Sequence, residues 1–347
     1  MKASNTLAIR GSLALLALLA AFQAGAAPGL RAIAGSLGGA GRGDIGAGCT
    51  TYGPTKVILD YFGSGLGVAV PGGGISACGY VGQVLDNSSP TTPATASTGV
   101  GPVILGNPGY AGYYTGSASA TASFTGLHAE AKGSFSLGLP GSPVALFDSA
   151  SAAFFTDTLT LSSPLVVPAS TGYVGYRFEI DGSLTASGTP ASYYFGETLA
   201  SLVYQQGSGP VYEAAHFYTR RGEPGSATAV GVPISGWTSA TGSISGAGSV
   251  NTLDVLSPFP ITFGTPWELT VGLAVRAIGE AAADFGSTAK LVGLDVFDAQ
   301  GHRITEFTLT SASGTDYISG VPEPASGLLL LAGAAALAAR RSRSASH

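Results

Sequence analysis

Tyr173-Val-Gly-Tyr-Arg-Phe-Glu-Ile-Asp-Gly-Ser-Leu184 alternates in a way that only a strand accommodates. Val174, Tyr176, Phe178 and Ile180 fall on one face, and Tyr173, Gly175, Arg177 and Glu179 on the other. A period of two places successive side chains on opposite sides of a sheet, so the apolar set faces a core. Asp181-Gly182 supplies a turn pair near its end. The same pattern recurs in Trp267–Ile278, where Trp267, Leu269, Val271, Leu273 and Val275 alternate with Glu268, Thr270, Gly272, Ala274 and Arg276. In Lys290–Phe297, Val292, Leu294 and Val296 oppose Gly293 and Asp295. Asp298-Ala-Gln-Gly301 then makes a hairpin loop, with Gly301 where φ must be positive, and Arg303–Thr310 returns.

Working outward, other short apolar runs are separated by Gly, Pro, Asn and Ser. Lys56–Phe62, Leu66–Val70, Tyr80–Leu85 and Val211–Thr219 are further strand candidates, whereas Ser88–Thr98 is a polar Pro/Thr loop. Gly106–Gly116, with Asn-Pro-Gly and paired tyrosines, is a turn with aromatic cover. No internal segment runs at helical spacing, and no fixed repeat marks a propeller or solenoid. The fold class expected is all-β: an antiparallel β-sandwich, jelly-roll-like, with half-polar faces.

The two ends are chemically different from this body. Lys2 and Arg10 precede the apolar run Leu13–Ala21, and Ala24-Gly25-Ala26 forms a small-residue cleavage site with Ala27 as the new N-terminus. Residues 1–26 are therefore expected to be a signal peptide, removed on export by signal peptidase. At the other end, Val321-Pro322-Glu323-Pro324 is stiffened by its prolines. Ala325–Ala339 follows without a charge, and Arg340, Arg341 and Arg343 close the run. Fifteen helical residues reach about 22 Å, short of the ~30 Å hydrocarbon core. A short C-terminal membrane helix with a cytoplasmic basic end is expected.

This succession, Pro322-Glu323-Pro324, apolar helix and arginines, resembles the PEP-CTERM sorting tail of exported bacterial proteins. The resemblance covers about 27 residues. It implies recognition by an exosortase-type membrane peptidase, cleavage near the Pro-Glu-Pro motif, and release or transfer to the cell surface, beside secreted polysaccharide. The final hairpin and its Thr-Ser-Ala-Ser-Gly-Thr-Asp-Tyr317 ending are also similar to the close of such bodies, which implies one domain running up to the tail. The expected organisation is a signal peptide (1–26), a flexible Gly/Ala-rich lead-in (27–48), a β-sandwich domain (49–320) and the sorting tail (321–347).

Composition narrows the chemistry. Glycine supplies 53 of 347 residues, and only 10 % are charged. Between Ala27 and Gly320 lie 10 Lys/Arg against 19 Asp/Glu, a net of −9. That acidic body lacks the basic footprint of a nucleic-acid partner. Cys49 and Cys78 would meet an oxidising compartment, so one disulfide closing about 30 residues is expected, stabilising by about 3.5 kcal/mol.

Catalytic patterns are missing from the sequence. His128, His216 and His302 are the body's histidines, and none opens a metal pattern or follows a G-x-S-x-G nucleophile turn. His216 is expected as a surface or interstrand histidine on a strand, His302 in solvent, and Asp298 as a turn acceptor; Asp295 and Asp298 come nearest to an acid cluster. Gly41-Arg-Gly43-Asp-Ile-Gly46 fits a dinucleotide fingerprint but lacks the flanking strand and helix, so no cofactor is expected. Tyr110, Tyr113, Tyr114, Tyr173, Tyr176, Tyr193 and Tyr194, many beside glycines, could offer ring faces to sugars or simply cap the core edges. The function expected is a non-enzymatic envelope or extracellular-matrix protein. A carbohydrate-binding module is the alternative, and a glycoside-cleaving enzyme the weaker one.

Overall fold

The computed structural model describes residues 27–38, 84–104, 112–137, 148–187, 196–254 and 259–318. Eighteen strands run through them: β1 (Gly29–Gly38), β2 (Val84–Ser89), β3 (Ala94–Ile104), β4 (Gly112–Ser123), β5 (Gly126–Leu137), β6 (Asp148–Ser162), β7 (Thr171–Ala186), β8 (Glu197–Gln206), β9 (Val211–Arg220), β10 (Ser226–Ala229), β11 (Val232–Pro233), β12 (Trp237–Ala240), β13 (Ser243–Asn251), β14 (Phe259–Thr262), β15 (Trp267–Ile278), β16 (Ala281–Asp298), β17 (Arg303–Ile304) and β18 (Thr308–Ser311). Two antiparallel sheets pack together as a sandwich. Sheet A has the order β11-β10-β9-β8-β15-β6-β1-β2, with β18 extending β6. Sheet B has the order β12-β13-β7-β16-β5-β4-β3, with β14 beside β7 and β17 beside β16.

The core between the sheets has two textures. At the β3–β5 end it is built from alanines: Ala94 and Ala96, Ala118, Ala120 and Ala122, Ala129 and Ala131 all point inward and are buried. At the β7 end the inward residues are aromatic. Tyr176, Phe178, Tyr204 and Phe259 form one packed group, and Phe217, Trp237 and Phe285 another. Small side chains let the sheets approach at one end, and rings hold them apart at the other.

The alternation in β7 is as the sequence requires, with Val174, Tyr176, Phe178 and Ile180 all buried. Asp181-Gly182 is no turn, however; β7 continues through it, paired to β13 on one side and β16 on the other. A Cβ on Gly182 would lie 2.6 Å from the Phe285 ring, so this glycine admits a ring instead of reversing the chain. The strand expected over Lys290–Phe297 is the second half of the long β16. A register shift between Leu291 and Gly293 leaves Val292 half-buried and brings Leu291, Leu294 and Val296 into the core. Such a bulge re-aims the side chains around it. Gly301 has the expected positive φ, 83°. The return strand is interrupted: Arg303–Ile304 pairs with β16, and Thr308–Ser311 crosses to β6 in the other sheet.

Two segments expected to be irregular are strands. The lead-in over 27–48 contains β1, which lies between β2 and β6 with Leu30, Ala32 and Ala34 in the core. The polar Ser88–Thr98 loop shrinks to a turn at 90–93, because Ala94, Ala96 and Thr98 point inward on β3 while Thr95 and Ser97 point out. In both, small residues suit the narrow end of the core, so Gly/Ala and Ser/Thr content did not signify disorder. The strand candidates Lys56–Phe62 and Leu66–Val70 lie outside the described residues, as does most of Tyr80–Leu85.

The half-polar expectation holds for one sheet only. Sheet A carries a second apolar cluster on the side facing away from sheet B, made of Ile33, Ala150, Ala152, Phe154, Leu199, Val203 and Ala274, all nearly inaccessible. Alternate residues of β6 thus serve two cores: Ala153 and Phe155 inside the sandwich, Ala152 and Phe154 outside it.

Candidate functional site

The sorting residues Pro322, Glu323 and Pro324, the basic Arg340, Arg341 and Arg343, the small residues Ala24 and Ala26, and Cys49 and Cys78 all lie outside the described residues, as does Gly41–Gly46. Ala27 is exposed, two residues before β1. Among the described residues, no helix is long and apolar enough to cross a membrane, and no three His, Cys, Asp or Glu side chains converge as metal ligands would.

Three polar constellations stand out among the described residues. The first closes the body just before the tail. Asp157, fully buried on β6, accepts the Thr158 amide (2.8 Å), the Ser313 amide (3.1 Å), the Ser313 hydroxyl (2.5 Å) and the Tyr317 hydroxyl (2.8 Å). The Tyr317 ring stacks on Phe155 with centroids 5.9 Å apart. Burial, reinforced by the Asp157 charge, pushes the Tyr317 phenol well above its ordinary range, which keeps it a proton donor. A lone carboxylate in the apolar run Ala152–Leu161 demands such partners, and that is the signal the sequence offered. Its donors, about 160 residues downstream, could not be named from spacing.

The second constellation surrounds Asp295 on the outer face of sheet B. Arg177 grips it with two nitrogens (2.6 and 3.0 Å), Arg303 adds a third contact at 2.7 Å, and Asn251 a fourth at 3.1 Å. Burial alone would raise the Asp295 carboxyl, but the hydrogen bonds and charge of Arg177, with Arg303 and Asn251, hold it below the usual range. Asp298 is the turn acceptor that its position suggested, taking the amides of Gln300 (2.9 Å) and His302 (2.8 Å), and it does not join Asp295 in a cluster. The two acids thus have separate structural roles. His302 is solvated, as expected.

The third lies on the outer face of sheet A, where Ser201 and His216 are cross-strand partners and Glu213 sits one turn of the pleat away. A hydroxyl, an imidazole and a carboxylate suggest a nucleophile relay, which needs the serine on one ring nitrogen and the acid on the other. Here Ser201 donates directly to Glu213, and both approach the same His216 nitrogen, Nδ1, at 3.4 and 3.1 Å. The imidazole therefore does not stand between them. Burial pushes the Glu213 carboxyl up, but bonds from His216 and Ser201 outweigh it and leave it lowered. His216 is the interstrand histidine the sequence suggested.

Of the tyrosines that could offer ring faces, the described Tyr114, Tyr173 and Tyr176 do not stand open to solvent. Tyr114 and Tyr176 are fully buried, and Tyr173 is half-buried; Tyr110, Tyr193 and Tyr194 lie outside the described residues. Tyr114 lies inward against Gly116 and Gly133, which face each other across β4 and β5, and its hydroxyl meets Ser149 at 2.9 Å. Tyr176 donates to Gln206 (2.8 Å) and accepts from Trp267 (3.1 Å).

Comparison with known proteins returns no matching family model, no matching curated protein and no matching solved structure.

Proposed function

We propose that this chain is a non-enzymatic exported protein of the envelope or extracellular matrix, delivered through a PEP-CTERM-type tail. Signal peptidase removes residues 1–26, and an exosortase cuts near Pro322-Glu323-Pro324 while the apolar run and Arg340, Arg341 and Arg343 hold the chain at the inner membrane. The body is a jelly-roll-like sandwich that then resides at the cell surface or outside it, in contact with surface polysaccharide. One observation carries this: every described strand lies within the interval between the two address segments. The first strand starts two residues after Ala27, and the Asp157 clamp ties down Tyr317 four residues before Val321. Cutting both ends would therefore leave every described strand whole.

Intact mass of the protein recovered from the native cell surface or medium tests it, beside a Pro322→Ala/Pro324→Ala variant. The expected result is loss of the residues beyond the motif, dependent on both prolines. An unprocessed tail in both proteins overturns the sorting assignment. A carbohydrate-binding module is the second reading, favoured by the open polar outer face of sheet B.

A further inference from the structure

The two sheets present unlike outer faces. That of sheet A is apolar at its centre and buried, whereas that of sheet B is open and polar, hydroxylic on β3 and β4 and charged across β5, β7 and β16. On β3 and β4 the outward residues are Thr95, Ser97, Thr115, Ser117, Ser119 and Thr121, each alternating with an inward Ala, Gly or Thr. Pairing register aligns them into rows across the sheet. Ser97 faces Ser119, which faces Glu130, then Asp284, Ser183, Ser245 and finally Thr238, one residue from each of seven strands. A parallel row runs from Gly99 through Ser117, Lys132, Ala282, Thr185 and Ser243.

We infer that this face is a docking surface for a neutral, linear polysaccharide lying across the strands; a polysaccharide partner is itself part of the function proposed above, on which this assignment rests. At the strand spacing of about 4.8 Å, the first row spans about 29 Å, and its neighbour lies roughly 6.8 Å away. A sugar polymer laid along it meets a donor or acceptor at nearly every strand, and many weak contacts along one chain add through effective concentration. Serine and threonine lose little rotamer freedom when they bind, so each contact is cheap in entropy. Within these rows Ser119 donates to Glu130 at 3.4 Å and Thr238 to the Ser245 carbonyl at 3.1 Å; Ser97 and Ser117 stand exposed. Charge selects the polymer class. Glu130, Asp284 and Lys132 leave the rows with one net negative charge, and the body between Ala27 and Gly320 is at −9, so a polyanion is repelled.

The test is affinity electrophoresis of the protein recovered from the cell surface, through gels holding hydroxyethylcellulose or alginate. A Ser97→Ala/Ser119→Ala/Ser183→Ala variant, which keeps strand-compatible small residues, runs beside it, and circular dichroism checks its fold. The expected result is retardation by the neutral polymer alone, weakened roughly tenfold or more in the variant because three hydrogen-bonding positions are lost. Equal retardation of a folded variant overturns the docking face and leaves the polysaccharide partnership standing. Stronger retardation in alginate overturns the neutral class. No retardation of the natural protein in either gel removes both the partnership and the face.

Discussion

Tyr317 donates its hydroxyl to Asp157 at 2.8 Å, across 160 residues of chain. With Ser313 it supplies most of what a buried carboxylate needs, so Asp157 fastens the closing segment to β6. Replacing Asp157 with Ala strands three donors from Ser313 and Tyr317 in the interior. The expected loss is about 2–4 kcal/mol. Tyr317→Phe removes one donor and costs about 1–2 kcal/mol. Urea unfolding measures both, and limited proteolysis should show earlier cutting within 311–318 in the Asp157 variant.

Asp295 sets an acid limit on stability. Its folded carboxyl lies below the ordinary value of 3.8 because the Arg177 and Arg303 contacts outweigh burial. A depressed carboxyl stabilises the fold above its unfolded value, and that contribution disappears as pH falls through the lower, folded value. Stability should therefore drop below about pH 4. Asp295→Asn should be less stable than the natural chain at pH 7 and lose less on acidification. Denaturation midpoints between pH 2 and 7 decide it; parallel curves would mean that the cluster is not coupled to folding.

Thr198 and Thr219 face each other between β8 and β9, fully buried, and neither hydroxyl has a hydrogen-bond partner. A buried polar atom left unpaired costs free energy, and valine has nearly the same shape. Thr219→Val is expected to raise stability by about 1 kcal/mol, read as a higher denaturation midpoint with an unchanged slope. A lower midpoint would show that the hydroxyl is satisfied in solution.

Gly133 is held by its neighbours. A Cβ there would lie 2.4 Å from the Gly279 carbonyl oxygen and 3.1 Å from the Tyr114 ring. Backbone cannot swing aside as a side-chain tip can, so Gly133→Ala should cost about 1–3 kcal/mol. The exposed Gly301→Ala tests conformation instead of space: its Cβ meets nothing, but φ is 83°. Its expected cost is about 1 kcal/mol.

The sequence by itself determined the class of element and which face of β7 and β15 turns inward, because a period of two is local and survives any tertiary context. It also located the Asp298 turn and placed His216 on a strand, both consequences of neighbours within four residues. Tertiary structure decided the rest. Whether Gly/Ala and Ser/Thr stretches become strands depends on how closely the opposite sheet approaches, and β1 and β3 exist because alanines there meet alanines. Whether Asp181-Gly182 bends or runs straight depends on the Phe285 ring seated against it. Apart from Thr158 and Arg303, the donors to Asp157 and Asp295 lie 44 to 160 positions away along the chain, and the polar row across sheet B arises only when seven strands come into register. Spacing along a chain carries none of that information, since sheet pairing is set by the summed burial of both faces and not by any one segment.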